Sequence, residues 1–397
     1  MHRREFLAAV GGMALARAVR AQETPKDLRI TRAVGFDLVS QRSKFAGKNA
    51  RLDVHGDRAT DRMLRLYTNA GLEAFGNCRA EKEAAAQLIG KDPFEFYRRD
   101  EKKFFGPLGP GTMPLWDLLG KVVKKPAYEL LGGAGFEKVP AYDASIYFTD
   151  LLPEYADRWR ERFREEIDMG RKIGHKAFKI KIGRGGKWIP RDEGDARDVE
   201  VVALIRKHAG DDVVLGVDAN NAYDLAGAKR FLERVADVKL AFVEEMFPET
   251  VEECLALKEF IQNRGWSILL ADGETQHEIE AFRPFIAARA IDVLQGDMNH
   301  FGIDVIMTEA AWAAGQKLLV APHNWGSFGG YFQQLHVGRA IPNFFRAEHD
   351  PLSNRVIIAE GYDRKEGLAR VPSSPGFGLA IDEKAFATDA RIRFDVS

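Results

Sequence analysis

"VVLGVDANNAYDLAGAKRFLERVADVKLAFVEEM" (213–246) holds a strand, a helix and a second strand in one breath. Its two ends are apolar and rich in β-branched residues, while "LAGAKRFLERVA" between them places apolar residues at helical spacing. Two strands joined through a helix of that length run parallel. The same alternation extends in both directions. Upstream stands "FKIKI" (178–182), and downstream stand "SILLADGET" (267–275), "IDVLQGD" (291–297), "KLLVAPHN" (317–324) and "NFFRA" (343–347). Helix-length stretches such as "ARDVEVVALIRKHAG", "ETVEECLALKEFIQ" and "DVIMTEAAWAAG" separate them. The fold class expected is α/β, a repeated β-α unit closed into a TIM-type (β/α) barrel. A doubly wound sheet would also alternate. No Gly-rich dinucleotide fingerprint follows the first strand, however, and "IGRGGKW" has the wrong spacing.

Each apolar run ends on a polar residue: Lys179 and Lys181, Asp218, Glu244, Glu274, Asp297, His323, and Glu348 after the last. In a barrel the carboxyl ends of the strands converge on one mouth, where active sites are built. Any one of these acids alone reads equally well as a helix N-cap, and Lys-x-Lys alone reads as a solvated strand face. Their common position at successive strand ends is what points to chemistry. Asp218, Glu244 and Glu274 form an all-oxygen set suited to Mg²⁺, whereas zinc would call for His or Cys. Asp272 shares strand parity with Glu274, so either could be the third ligand. His323 beside Asp297 makes a His-Asp dyad, and Lys179 with Lys181 lies on the other side of the acids in barrel order. Bases on both sides of a metal suit movement of the proton next to a substrate carboxylate. Crowding of one ammonium against another, near a divalent cation, is expected to lower the Lys181 pKa.

Composition narrows the partners. The 397 residues are 45% hydrophobic and 29% charged, with formal charge −1 and dispersed Lys and Arg. That pattern argues against nucleic acid and for a small-molecule partner, and no run is long enough for a stable membrane anchor. Association into a homo-oligomer is left open. Cys78 and Cys254 are the only cysteines, so a single bridge is the most they could form. "MHRREFLAAVGGMALARAVRAQE" (1–23) places Arg3-Arg4 before a short apolar stretch and ends on Val19-Arg20-Ala21. It resembles a twin-arginine export signal over 1–21, which implies an exported, periplasmic protein. Residues 22–137 read as an α+β lobe. "LRITRAVGFDLVS" suggests a strand, "ATDRMLRLYTNAGLEAFG" a strand or helix broken at glycine, and "CRAEKEAAAQLIGKDPFEFY" a helix ended by Gly90.

In "KIKIG" (179–183), "GVDAN" (216–220), "FVEEM" (242–246), "DGET" (272–275), "LQGDMNHFGI" (294–303) and "APHNWGS" (321–327), the chain resembles the enolase superfamily. Within it the resemblance is to the mandelate racemase-like, acid-sugar dehydratase group. "LWDLLGKVVKKPAYELLGG" (115–133) looks like that family's link between cap and barrel. The resemblance implies an N-terminal capping domain over 22–137, a modified barrel over 138–355, and a 356–397 segment that packs back on the cap. It implies Mg²⁺ on Asp218, Glu244 and Glu274, the match to "GE" favouring Glu274 over Asp272. Lys181, with Lys179 beside it, is then one base, and His323 with Asp297 the other. Glu348 falls where the family places an acid that hydrogen-bonds the substrate carboxylate or enediolate. Met246 stands where relatives usually have proline.

Relatives that racemise N-acylamino acids carry a lysine on the strand after the third ligand, and "QGDMNH" has none. The activity implied is dehydration of a sugar acid by a lyase, with racemisation or epimerisation of a 2-hydroxy acid as the alternative. A non-catalytic carbohydrate-binding barrel would not need both bases; a metal-dependent aldolase or hydrolase would also use Mg²⁺, but an aldolase of the Schiff-base kind would not need three carboxylates. Loops at 41–56 and 68–76 are expected to cover the mouth and choose the substrate.

Overall fold

The structure is a computed structural model and describes residues 27–397. The export signal read over 1–21 lies outside the described residues. Two sheets organise the chain. The first belongs to the N-terminal lobe, where the long strand Ile30–Ala46 pairs antiparallel with Gly56–Thr68, which pairs in turn with Glu73–Asn77. The glycine break in "TNAGLEAFG" is therefore a hairpin turn between strands, with Gly71 at φ +73°. The helix expected up to Gly90 shortens to Lys82–Ala86. Backbone bonds to Ile30 take over from the helical ladder: Gly90 N donates to Ile30 O at 2.8 Å, and Ile30 N donates to Lys91 O at 3.0 Å.

The second sheet is the barrel. Its strands follow in sequence order, all parallel: Lys138–Ile146, Ala177–Lys181, Val214–Asp218, Phe242–Glu244, Leu269–Asp272, Val293–Leu294 and Leu319–Val320. Ala347–His349 closes the ring by pairing parallel with the first of them. Helices such as Arg191–Ala209, Leu225–Arg234 and Val251–Asn263 make the crossovers. Register sets the chemistry at the rim, because Lys181 lies opposite Asp218 and Asp218 opposite Glu244. Gly216 lies two residues below that layer, where a Cβ would sit 2.2 Å from the Phe242 ring; only glycine lets the two strands meet there.

Past the barrel the chain returns to the lobe, where Ala390–Val396 pairs antiparallel with Ile30–Ala46. A hairpin of Asp363–Lys365 and Leu368–Arg370 instead extends the barrel sheet, Leu368–Arg370 pairing antiparallel with the start of Lys138–Ile146. Cys78 and Cys254 are both buried and free, so no bridge joins them. None of the helices among the described residues is long and apolar enough to cross a membrane.

The lobe sits on the mouth of the barrel as a cap. Its loop after Ala46 meets the strand-end loops: Lys48 bridges to Phe148, and Trp188 Nε1 donates to Asn49 O at 2.6 Å. Buried Asp61 reaches across to the helix Phe328–Ala340, accepting from Phe328 N at 2.9 Å and Gly329 N at 3.3 Å. A cap residue thus satisfies N–H groups that a barrel helix leaves open at its first turn.

Candidate active site

A strand alternates its side chains, so Lys179 and Lys181 enter the barrel together while Phe178, Ile180 and Ile182 pack outward into the helices. Both lysines are buried. Lys179 Nζ contacts Glu244 and lies 2.7 Å from Glu348 Oε1 and 3.3 Å from Asp218 Oδ2. Lys181 Nζ donates to Asp218. Asp218, Glu244 and Glu274 each offer an oxygen within 4.8 Å of the others. Glu274 Oε2 is buried in this all-carboxylate set, with His323 Nε2 3.1 Å away. These residues fit a hard divalent ion of the Mg²⁺ kind.

The ambiguity at the fourth carboxyl resolves through the backbone. The strand ends at Asp272, and Gly273 at φ +127° breaks the alternation that parity assumes. Asp272 Oδ1 then accepts from Gly273 N at 2.7 Å, while Glu274 swings to the acids. Asp272 stays buried beside Glu249, and burial with those neighbouring acids pushes its pKa well up.

On the far side, His323 Nδ1 meets Asp297 Oδ2 at 2.5 Å, and His323 Nε2 lies 3.1 Å from Glu274 Oε2. Asp297 is at once the N-cap of the helix Met298–Gly315, accepting from His300 N at 2.7 Å, and the dyad acid. The two readings of that residue are compatible because a carboxylate has two oxygens. Burial lowers the imidazole's pKa, but Glu274, Glu348 and Asp297 outweigh it and hold the ring well above the usual histidine range. Glu348 accepts from Asn324 N at 2.6 Å and faces both Lys179 and His323.

The protein's own charges act on Lys181 in the opposite direction to the expected effect of a neighbouring ammonium and cation. Burial and Lys179 push it down, yet Asp218, Glu274 and Glu244 push it further up, so its pKa is raised; that of Lys179 is raised well above normal by Glu244 and Glu348. The sequence shows the neighbouring lysine but not the sum of carboxylates that folding gathers around it. Asp218 answers in kind: burial would raise it, and Lys181 with Lys179 holds it below the carboxylate range.

Several supporting residues escape a reading of strand ends alone. Gln295 Nε2 donates to Glu244 Oε2 at 2.7 Å, from the residue after Val293–Leu294. Asn220, at φ +43°, donates its amide to Glu245 at 2.9 Å and Glu274 at 3.3 Å. Arg184, fully buried in the loop after the lysines, binds Asp150 at 2.8 Å and Asp198 at 2.6 Å and fixes the direction in which that strand ends. Met246, in place of the relatives' proline, is simply buried.

Residues 160–385 match the sequence profile of the enolase C-terminal domain-like proteins. Arabinonate dehydratase of Saccharolobus solfataricus is 29% identical over 277 residues, which span 68% of this chain and 69% of that protein. The crystal structure of galacturonate dehydratase from a Geobacillus species, complexed with D-galacturonate and 5-keto-4-deoxy-D-galacturonate, is 30% identical. It superposes with a TM-score of 0.84, covering 94% of this chain and 99% of its own. A mandelate racemase/muconate lactonizing protein from Geobacillus sp. Y412MC10, crystallised with magnesium and tartrate, is 31% identical. Its TM-score is 0.84, with 91% of this chain and 95% of its own covered.

Proposed function

We infer the reaction from one premise: this chain belongs to the enolase C-terminal domain-like family. It is a Mg²⁺-dependent enzyme that removes the α-proton of a carboxylate substrate, and its reaction is dehydration of a sugar acid. The observation that carries this is the placement of two proton-handling groups at opposite ends of one acid cluster. Lys181 touches Asp218, and His323 faces Glu274.

Asp218, Glu244 and Glu274 would hold Mg²⁺, which would supply Lewis-acid stabilisation of negative charge developing on the substrate carboxylate and would offset the carboxylate charge that keeps Lys181 protonated. Lys179, whose ammonium is held charged by Glu244 and Glu348, faces the substrate carboxylate. Lys181 in its neutral form takes the α-proton. His323, held protonated by Glu274, Glu348 and Asp297, gives its proton to the hydroxyl leaving the next carbon, and that oxygen departs as water. The enol left behind tautomerises to a 2-keto-3-deoxy acid, so the balance is the loss of one water. Asp297 keeps Nδ1 hydrogen-bonded and directs Nε2 inward.

The same two groups would serve a 1,1-proton transfer in a 2-hydroxy acid, and one experiment separates the cases. Lys181→Met and His323→Asn should each abolish net turnover of a panel of acid sugars while Mg²⁺ binding persists. Under dehydration only His323→Asn, which keeps the abstracting base, should exchange the α-proton with deuterated water. Exchange of opposite enantiomers by the two variants would establish racemisation instead, and normal turnover by Lys181→Met would remove the reading altogether.

We also propose export by the twin-arginine route, on the strength of Arg3-Arg4 and the short apolar stretch that follows.

A further inference from the structure

Two hydrogen-bonding groups near Lys181 make no hydrogen bond among the described residues, and neither has a part in the proton transfers. His55 comes from the cap loop that precedes Gly56–Thr68. Trp325 Nε1 lies 3.1 Å from His55 Nδ1. An indole N–H can only donate, so Nδ1 accepts and the ring's proton resides on Nε2. That Nε2 is buried and unpartnered. Burial first, then the charges of Lys181 and Arg42, push the imidazole down to about 4, which keeps it neutral near pH 7.

Tyr147 follows directly on the first barrel strand, and its side chain is buried. Its ring is stacked on Trp325 at a centroid distance of 4.5 Å and is met edge-on by His55 at 4.7 Å. Lys181 Nζ lies 5.4 Å from the ring centroid. Burial raises the phenol's pKa well above normal, so it remains a donor; the charges that bear on it are Lys179, Asp218, Glu348 and Asp350, with no hydrogen bond among them. A buried tyrosine hydroxyl ordinarily finds a partner, and the Tyr147 hydroxyl makes no hydrogen bond among the described residues, on a ring that lies next to Lys181.

The wall is built before any ligand arrives. The Arg42 guanidinium lies 4.6 Å from the Trp325 ring centroid and is committed to Asp350 at 2.8 Å, so it fixes the indole without offering a free cation. Neutral donors on a rigid aromatic wall suit neutral hydroxyls better than a second carboxylate.

We propose that His55 Nε2–H and the Tyr147 hydroxyl form a subsite that reads hydroxyls of the substrate beyond the reacting carbons, selecting polyhydroxy monocarboxylates over short 2-hydroxy acids. This rests on the α-proton chemistry proposed above. The test is calorimetric titration of the Mg²⁺-loaded protein with D-arabinonate, D-gluconate and D-galacturonate, and with D- and L-lactate as truncated probes. The wild-type protein should bind at least one sugar acid roughly tenfold or more tighter than lactate. Tyr147→Phe and His55→Leu should each cut that advantage by about tenfold and leave lactate binding unchanged. His55→Gln, which keeps an N–H donor, should lie between. An undiminished sugar advantage in both Tyr147→Phe and His55→Leu, or an equal loss for sugar and lactate, overturns the subsite while the reaction stands. A wild-type protein that neither binds these sugar acids better than lactate nor exchanges their α-protons overturns both.

Discussion

Lys179→Met is the sharpest test of how the site is held together. The ammonium is 1% exposed and serves Glu244, Glu348 and Asp218 at once, so its loss leaves three buried carboxylates to share Lys181. Removing one partner of a buried ion pair costs about 3 to 5 kcal/mol, because the other charge stays desolvated. Burial already pushes Glu244 up, so proton uptake there should keep the cost toward the lower end. With an unfolding entropy of about 2.1 cal/mol/K per residue over about 370 residues, each kcal/mol moves the midpoint by about 1.3 °C. The expected fall is about 4 to 6 °C, read by scanning calorimetry in excess EDTA. Added Mg²⁺ should then raise the variant's midpoint more than the wild type's, since the cation meets more uncompensated carboxylate. A fall under about 1 °C in EDTA, or equal gains from Mg²⁺, would show that Lys179 does not neutralise this cluster.

Two further outcomes are expected. Glu309 is buried with one hydrogen bond, from Gly296 N at 3.3 Å, and burial pushes its pKa up to about 8. The folded protein therefore holds a proton that the unfolded chain releases near 4.5, and stability falls as pH rises from about 4.5 through about 8. Glu309→Gln should flatten denaturant-derived stability across that window and leave the protein a few kcal/mol more stable than wild type near pH 9, at the order-of-magnitude level; an unchanged slope would contradict the assignment. For export, residues 1–30 fused to a reporter should carry it to the periplasm, and Arg3→Lys with Arg4→Lys should retain it in the cytoplasm; retention of the unaltered fusion would refute the route.

The barrel and its reacting side chains were legible because both follow from period. A two-residue alternation sends Lys179 and Lys181 the same way, and repetition of strand and helix sends every strand end to one rim. Asp297 was legible twice over, as cap and as dyad, since either role needs an acid at that position. What escaped depends on sums or contacts across the fold. The sign of the Lys181 shift needs Asp218, Glu274 and Glu244 counted together. The choice between Asp272 and Glu274 turns on the φ of Gly273, a conformation that strand parity does not foresee. Tyr147 and His55 acquire their setting only when the cap brings one against the other through Trp325. The short helix at Lys82–Ala86 yielded to a backbone pairing of Gly90 and Lys91 with Ile30, a partner about sixty residues distant whose reach no local propensity records.

The return of Ala390–Val396 to Ile30–Ala46 bears on how the protein is made. Arg32 near the start of that first strand binds Asp395 through two hydrogen bonds, at 2.9 and 2.6 Å. On a ribosome the strand Ile30–Ala46 emerges and waits, with one edge lacking its partner, until Ala390–Val396 has been translated. For that interval its N–H and C=O groups are open to other strands, and closing the ring of contacts from one end of the sequence to the other is the kind of distant pairing that slows folding. Vectorial synthesis therefore delivers an unfinished cap on a barrel that can already form, and a nascent chain stalled before its last strand would be the species in need of chaperone protection.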